Sequence, residues 1–446
     1  MAKWFGTDGI RGIANADPVT PEMGLKLGQA VVAFCKKKGC VPDILIGRDT
    51  RESGKMLEDA IVSGILQSGG TACRAGVIPT PGVAFLTRSM DGGAGIVVSA
   101  SHNPYEYNGF KIFSGDGFKL SEKDEAEIEE LIQQLPDGAS DGEPGHDRLL
   151  DNAGELYNGF LKKSIPDGFR LEGMKIILDC GHGATHRVAP ELFEDLGAQV
   201  EALFTTPDGR NINNNCGSQH TEALSGRVTE TEADAGLAFD GDGDRIIVID
   251  EKGNALTGDQ VLAILAKMLK ETGELKGHAV VSTVMSNMGL RMALEKIGVQ
   301  LITAKVGDRN VMEAMRMKGA NLGGEDSGHI IFLDHHTTGD GLVSALQVLK
   351  AMTFFDRSLS ELSTLMSVFP QTLINVHVRI KPEISSVREL TTAIKKVEEA
   401  LGSEGRVLVR YSGTEPVCRV MVEGERRHEI EKHARDLARI IEKNLT

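Results

Sequence analysis

No apolar run in the 446-residue chain approaches the roughly 20 residues needed to span a bilayer, so a helical membrane protein is excluded. The opening stretch MAKWFGTDGIRG lacks the apolar segment of a secretory signal, and the expected location is the cytoplasm. Cysteine is scarce and dispersed: Cys35, Cys40, Cys73, Cys180, Cys216 and Cys418 form no C-x-x-C pair. Reduced thiols filling cores are therefore expected, and neither a zinc cage nor a disulfide framework. Basic residues are in deficit, 49 against 64 acidic, for a formal net charge of −15. That balance argues against nucleic acid as the main partner, because a phosphate backbone needs a basic face. It leaves room for a small phosphorylated ligand, which needs only a locally positive pocket.

What is present is the pattern of a large α/β protein. The composition is ordinary for a globular chain, 41% hydrophobic and 25% charged. Length alone gives a prior of about three domains. Three passages each read strand, helix, strand: from PDILIGRD, from MKIILDCGHGA and from HAVVSTVMS. This is the signature of βαβ units in mixed, mainly parallel sheets. After SLSELSTLMSVFP the pattern changes to a strand, a helix, a hairpin and a final helix, an α+β module. The Gly/Pro/Asp-rich stretch LPDGASDGEPGHD (135–147) reads as a linker, and a weaker break lies near KGNAL. Four domains are expected, at 1–147, 148–253, 254–368 and 369–446.

Several loops carry chemistry. In SASHNPYEYNGFK an apolar strand runs into a loop that sets Ser101 beside His102. Neighbours in an extended chain point to opposite sides, so His102 is expected to be badly placed to deprotonate Ser101. Nor does glycine flank Ser101 as in the G-x-S-x-G elbow of hydrolases. In LAFDGDGDRIIVID, Asp240, Asp242 and Asp244 alternate with glycines after an apolar strand, so that their carboxylates can converge. Three carboxylates without histidine or cysteine suit a hard cation such as Mg²⁺. An EF-hand would need glycine at its sixth position, where this chain has Arg245. In RYSGTEPVCR, Ser412, Gly413 and Thr414 offer N–H groups and hydroxyls to an anion, and Arg410 and Arg419 add charge-assisted bonds to phosphate. GGEDSGH places Glu325 and Ser327 where they can bind sugar hydroxyls or an amino group. Arg11 sits in a compact glycine-bracketed loop, whereas Arg48 and Arg51 are expected to bridge backbone and carboxylates, with Asp49 as a local partner. A serine set among a cation site and a separate phosphate clamp suits phosphoryl transfer onto a phosphosugar better than hydrolysis.

SASHNP, DGDGDR, GGEDSGH and RYSGTEP resemble, in order, the serine, metal, sugar and phosphate loops of the α-D-phosphohexomutases. The likeness covers nearly the whole chain. FGTDGIRG, TVMSNMGL, VGDRNV and TTGDGL are most similar to the family's glucosamine branch, which usually has tyrosine at Asn310 and glutamine at Asp326. The resemblance implies three related α/β domains and a C-terminal TATA-binding-protein-like domain around a central cleft. It implies a phosphoserine at Ser101 and Mg²⁺ held by Ser101, Asp240, Asp242 and Asp244. Arg11 would stabilise the transferring group, and Lys111 would be the general base once a neighbouring cation or desolvation lowered its pKa. The reaction implied interconverts glucosamine 6-phosphate and 1-phosphate through glucosamine 1,6-bisphosphate, with glucose 1,6-bisphosphate as an alternative activator, and feeds UDP-N-acetylglucosamine and cell-wall synthesis. A homodimer would fit. The nearest rival is the same machinery acting on mannose or glucose phosphates; a binding-only pseudoenzyme is opposed by the intact serine, aspartates and clamp.

Overall fold

The structure, a computed structural model, describes residues 4–6, 8–135, 143–412 and 416–446. Its four sheets follow one another along the chain. The first has six strands, in spatial order Ile10–Ile13, Tyr107–Ser114, Ala94–Val98, Asp43–Arg48, Thr71–Val77 and Asp147–Leu149. The four strands from Ala94–Val98 onward run parallel, and Tyr107–Ser114 and Ile10–Ile13 close one side antiparallel. The centre of this sheet is buried on both faces, which is why Ala94–Val98 is apolar throughout instead of alternating. Asp147, where the stretch expected to be a linker ends, opens the edge strand Asp147–Leu149 of this sheet, paired with Ala72, Cys73 and Arg74. Most of the remainder of that linker lies outside the described residues.

The second sheet has five strands: Ala255–Leu256, Ile246–Ile249, Ala235–Phe239, Lys175–Asp179 and Gln199–Leu203. Ala235–Phe239 turns back antiparallel into Ile246–Ile249, so the DGDGD segment forms the connection between two buried strands. The third sheet contains Gln300–Ala304, Ala279–Thr283, Leu322–Gly324 and Ile330–Phe332, the last two antiparallel around GGEDSGH. The mixed, mainly parallel sheets read from the sequence are thus present.

Two compact units result. One comprises Met1–Met285 and Gly298–Leu365; the other comprises Ser286–Ile297 and Met366–Thr446. In the second, Gln371–His377 and Gly405–Tyr411 flank Val417–Gly424 in an antiparallel sheet. Helices Arg388–Leu401 and Arg427–Leu445 cover it, burying Leu390, Val397, Ile430, Leu437 and Ile441 against Val420 and Val422. With Ala434, and with the partly buried Ile394 and Leu401, these apolar positions recur at three- and four-residue spacing, so each helix presents a single stripe to the core. The helix Met288–Lys296 belongs to this unit: Asn287 bonds the backbone of Phe369 in both directions, and Met288 N–H donates to Glu423.

Candidate active site

The serine loop begins where Ala94–Val98 ends. Ser101 is fully buried with φ +54°, in the left-handed region. Its Oγ donates to Asp240 Oδ2 at 2.7 Å. The left-handed turn corrects the expectation for His102. The chain is not extended here, and His102 Nδ1 lies 3.4 Å from Ser101 Oγ on the same side. The imidazole is nevertheless a poor proton acceptor: burial, then the Arg245 and Arg11 guanidinium groups, push its pKa down to about 4. Arg245 Nη1 lies 3.2 Å from the same Nδ1.

The three aspartates converge as the alternation with glycine implied, their donor oxygens all within 4.8 Å of one another. The two glycines act differently. Gly243 has φ +70°, a turn that other residues rarely adopt. Gly241 is required by close approach: a Cβ there would stand 2.7 Å from the Ser101 carbonyl oxygen and 2.7 Å from Ile212 Cδ1. From below, Gly341 N–H donates to the Gly243 carbonyl, and so TTGDGL supports the aspartate loop.

The first sheet meets the aspartates through side chains far away in sequence. Thr80 Oγ1 donates to Asp242 Oδ2 at 2.5 Å. Lys111, on Tyr107–Ser114 and 2% exposed, donates from Nζ to Asp242 Oδ2 at 2.7 Å and to Asp244 Oδ2 at 3.0 Å. The second oxygens, Asp242 Oδ1 and Asp244 Oδ1, are buried without a hydrogen bond. Two buried carboxylate oxygens left over, plus Asp240 beside the serine, form a donor set of the kind that a hard cation takes. The residues present fit Mg²⁺.

Charge is concentrated here. Burial and the neighbouring Asp244 and Asp242 hold Asp240 well above the usual carboxylate range. Burial would raise Asp244 too, but Lys111, His329 and Arg245 pull it well below. Burial opposes the Lys111 ammonium, yet Asp242, Asp244 and Asp8 outweigh it and hold the pKa well above that of free lysine. As the site stands, Lys111 is firmly protonated, and a role as base requires the negative charge around it to be drawn off first.

Arg11 pairs with Asp8, which also takes Lys119 and lies 3.4 Å from Lys111. Lys119 in turn pairs with Asp308. His329 lies between, with Nδ1 3.8 Å from Asp244 Oδ1 and Nε2 3.8 Å from Asp308 Oδ2. Asp8, Lys119, Asp308 and His329 were not singled out as site residues in the sequence. Asp8 and Asp308 do lie inside FGTDGIRG and VGDRNV, which was the one available signal.

In the GGEDSGH loop, Glu325 Oε1 accepts from Gly307 N–H at 3.0 Å, and the buried Ser327 Oγ has no partner. Asp326 is turned to a helix end: its carboxylate accepts from Asp259 N–H and its carbonyl from Gly258 N–H, at the start of Gly258–Glu271. Asn310 donates to its own helix's entry at Val306 O.

In the second unit, Arg410 and Arg419 are directly opposed across paired strands. Burial, then the Arg419 charge, lowers the pKa of Arg410, the electrostatics of a place that favours an anion. Ser412 N–H donates to Val417 O, and Lys381 Nζ donates to the Ser412 carbonyl, a cation that sequence reading missed. Gly413 and Thr414 lie outside the described residues.

A buried serine aimed at a carboxylate triad, on serial mixed α/β sheets with an arginine-bearing α+β module, is the arrangement of a phosphohexomutase. Models of phosphoglucomutase/phosphomannomutase domains match along the chain: α/β/α domain I at 2–138, domain II at 156–253, domain III at 257–369 and the C-terminal domain at 373–440. A phosphoglucosamine mutase of Syntrophus aciditrophicus is 55% identical over 451 residues, covering 100% of both chains. A solved phosphoglucomutase/phosphomannomutase family protein of Burkholderia thailandensis superposes with a TM-score of 0.83 at 23% identity, covering 100% of this chain and 99% of the other. An Aspergillus fumigatus N-acetylphosphoglucosamine mutase, solved with GlcNAc-6P and magnesium, gives 0.69 at 17% identity, covering 100% and 96%. The chain belongs to the phosphoglucomutase/phosphomannomutase family, in its phosphoglucosamine mutase branch. Among the described residues no helix is long and apolar enough to cross a membrane.

Proposed function

We propose that the protein interconverts glucosamine 6-phosphate and glucosamine 1-phosphate by carrying a phosphoryl group on Ser101. The observation that carries this reading is the buried Ser101 hydroxyl held at 2.7 Å from Asp240, at the meeting point of three carboxylates. Asp240, Asp242, Asp244 and an oxygen on Ser101 would hold Mg²⁺, which when bound draws negative charge from the serine oxygen. Phosphorylated Ser101 gives its phosphoryl to the sugar O1, forming glucosamine 1,6-bisphosphate. The bisphosphate reorients and returns its other phosphoryl to Ser101, releasing the product. Glucose 1,6-bisphosphate serves equally as the primer.

Such transfer depends on in-line placement and neutralised charge more than on covalent help. Arg11 stabilises the transferring group. Lys111 takes the proton of the attacking sugar hydroxyl once Asp242 and Asp244 are neutralised, and returns it in the second half-reaction. Arg410, Ser412, Gly413, Thr414 and Arg419 grip the non-reacting phosphate, so that remote contacts position the reacting oxygen. Glu325 and Ser327 read the sugar; Asp326, occupied with the helix end, does not. A cytoplasmic homodimer completes the reading.

The test is a competition. Glucosamine, glucose and mannose 6-phosphates are supplied separately with Mg²⁺ and a trace of hexose 1,6-bisphosphate, and 1-phosphate formation is followed. Glucosamine is expected to lead in kcat/KM by about a hundredfold, roughly 3 kcal/mol of transition-state preference. Mannose or glucose leading would reassign the sugar; turnover by Ser101→Ala would sink the mechanism.

A further inference from the structure

We propose that Arg51 and Asn213 are positioning residues that hold Ser101 in its left-handed conformation, with its Oγ aimed at Asp240. This deepens the reading of Ser101 as phosphoryl carrier and rests on it. A serine at φ +54° is disfavoured and persists only where its surroundings fix it. Here both sides of the residue are fixed by buried groups. Ser101 N–H donates to Ser99 Oγ at 2.9 Å, and Ser99 Oγ donates to Asp49 Oδ2 at 2.6 Å. Asp49 also accepts from Arg51, through N–H at 3.0 Å and Nε at 2.9 Å.

The Arg51 fork then closes on the loop's carbonyls. Nη2 donates to Ser101 O at 2.9 Å and to Asn103 O at 2.8 Å, while Nη1 donates to Pro104 O. From the other direction Asn213 Nδ2 donates to the same two carbonyls, Ser101 O at 2.9 Å and Asn103 O at 3.1 Å. Asn213 is itself held by its N–H to Gly181 O, and so belongs to the loops beside the metal-binding turn. Arg51 is 1% exposed with every guanidinium nitrogen engaged, so it has nothing left for a substrate. The two residues therefore act through Ser101. Ser101 must occupy one place in both half-reactions, as donor and then as acceptor, and a displacement of the order of 1 Å lowers the rate of a positioned transfer about a hundredfold.

The experiment uses the full-length protein as Asn213→Gly, whose backbone tolerates the φ of +57° at that site, and as Arg51→Lys, which keeps a cation beside Asp49. Steady-state kinetics are combined with the mass shift of Ser101 after incubation with glucose 1,6-bisphosphate and with the ³¹P resonance of the phosphoserine. Both variants are expected to lose kcat by about tenfold or more with KM within about twofold, and to show a shifted or broadened ³¹P resonance. A kcat within about twofold of wild type in Asn213→Gly would overturn the proposal. So would activity that falls only in step with the folded fraction while the resonance is unchanged. Absence of phosphoserine in active wild-type enzyme would overturn the underlying reading, and this inference with it.

Discussion

Replacing Lys111 by methionine isolates what the buried ammonium does. Its Nζ stands 2.7 Å from Asp242, 3.0 Å from Asp244 and 3.4 Å from Asp8, and the side chain is 2% exposed. Methionine fills most of the volume, so the packing change is small and the lost charge dominates. Removing one partner of a buried ion pair leaves the other uncompensated, at a cost of about 3 to 5 kcal/mol. The chain's single tryptophan, Trp4, packs against the core of the same first-sheet domain, so its fluorescence follows unfolding around Lys111. At a urea dependence of about 2 to 3 kcal/mol per molar, the midpoint in chelator should fall by about 1 to 2.5 M. The loss should shrink on acidification. Without the ammonium, Asp244 would lose the main charge that pulls its pKa down against burial, and a carboxylate whose folded pKa is raised in this way gains relative stability as pH falls. Mg²⁺ should raise the midpoint more in the variant than in wild type, because a bound cation restores the missing compensation. An unchanged midpoint in chelator would refute the reasoning, since the carboxylates would then not depend on Lys111.

Gly241→Ala puts a Cβ 2.7 Å from the Ser101 carbonyl and 2.9 Å from Asn213 Nδ2. Overpacking of about 1 to 3 kcal/mol and a fall in kcat are expected, measured by urea melts and steady-state kinetics; wild-type values in both would show that the loop yields freely. Arg419→Ala should mainly raise KM, because Arg410, opposite it across the sheet, would be left as the one arginine of the proposed clamp; an unchanged KM removes the clamp. His336 is buried with its Nδ1 accepting from Thr337 N–H, leaving Nε2–H for Pro81 O, and burial drives its pKa down to about 3. The unfolded chain therefore binds the extra proton from about pH 6.5 downward, and His336 lowers stability progressively as pH falls from there to about 3. Asp340, raised to about 6 by burial, works in the opposite sense below that pH, so the comparison with His336→Gln is best read between pH 7.5 and about 6. A wild-type midpoint no steeper in pH than the variant's there would refute the assignment.

The chemistry of the site was legible wherever it lies in a contiguous loop. The aspartate and arginine loops announce themselves by their glycines and the serine loop by the apolar strand that runs into it, and the structure brings Asp240, Asp242 and Asp244 to Ser101. Where the reading failed, backbone conformation or long-range pairing was responsible. His102 was judged from the alternation of an extended chain, but Ser101 is left-handed and turns it onto the same side. Lys119 and Asp308 are 189 positions apart, and no local pattern shows that two such residues will meet. NMGLRMALEKIG was legible as a helix, but its own periodicity does not say which core it joins, and it joins the C-terminal one.

The charge arrangement explains why these pieces belong together. Asp8, Asp240, Asp242, Asp244 and Asp308 crowd among Arg11, Lys111, Lys119, Arg245 and His329, and burial with the neighbouring Asp244 and Asp242 disfavours the charge on Asp240. Asp240 is also the acceptor of the Ser101 hydroxyl. An unmodified serine answers that carboxylate with an O–H. A phosphorylated serine has no such proton and brings further negative charge, so the same contact becomes repulsive unless Asp240 takes up a proton or a cation enters between the two oxygens. On the proposed function, phosphorylation of Ser101 and cation binding at the triad would therefore be coupled by this one contact, with Asp240 as the hinge between the resting and the loaded forms of the site.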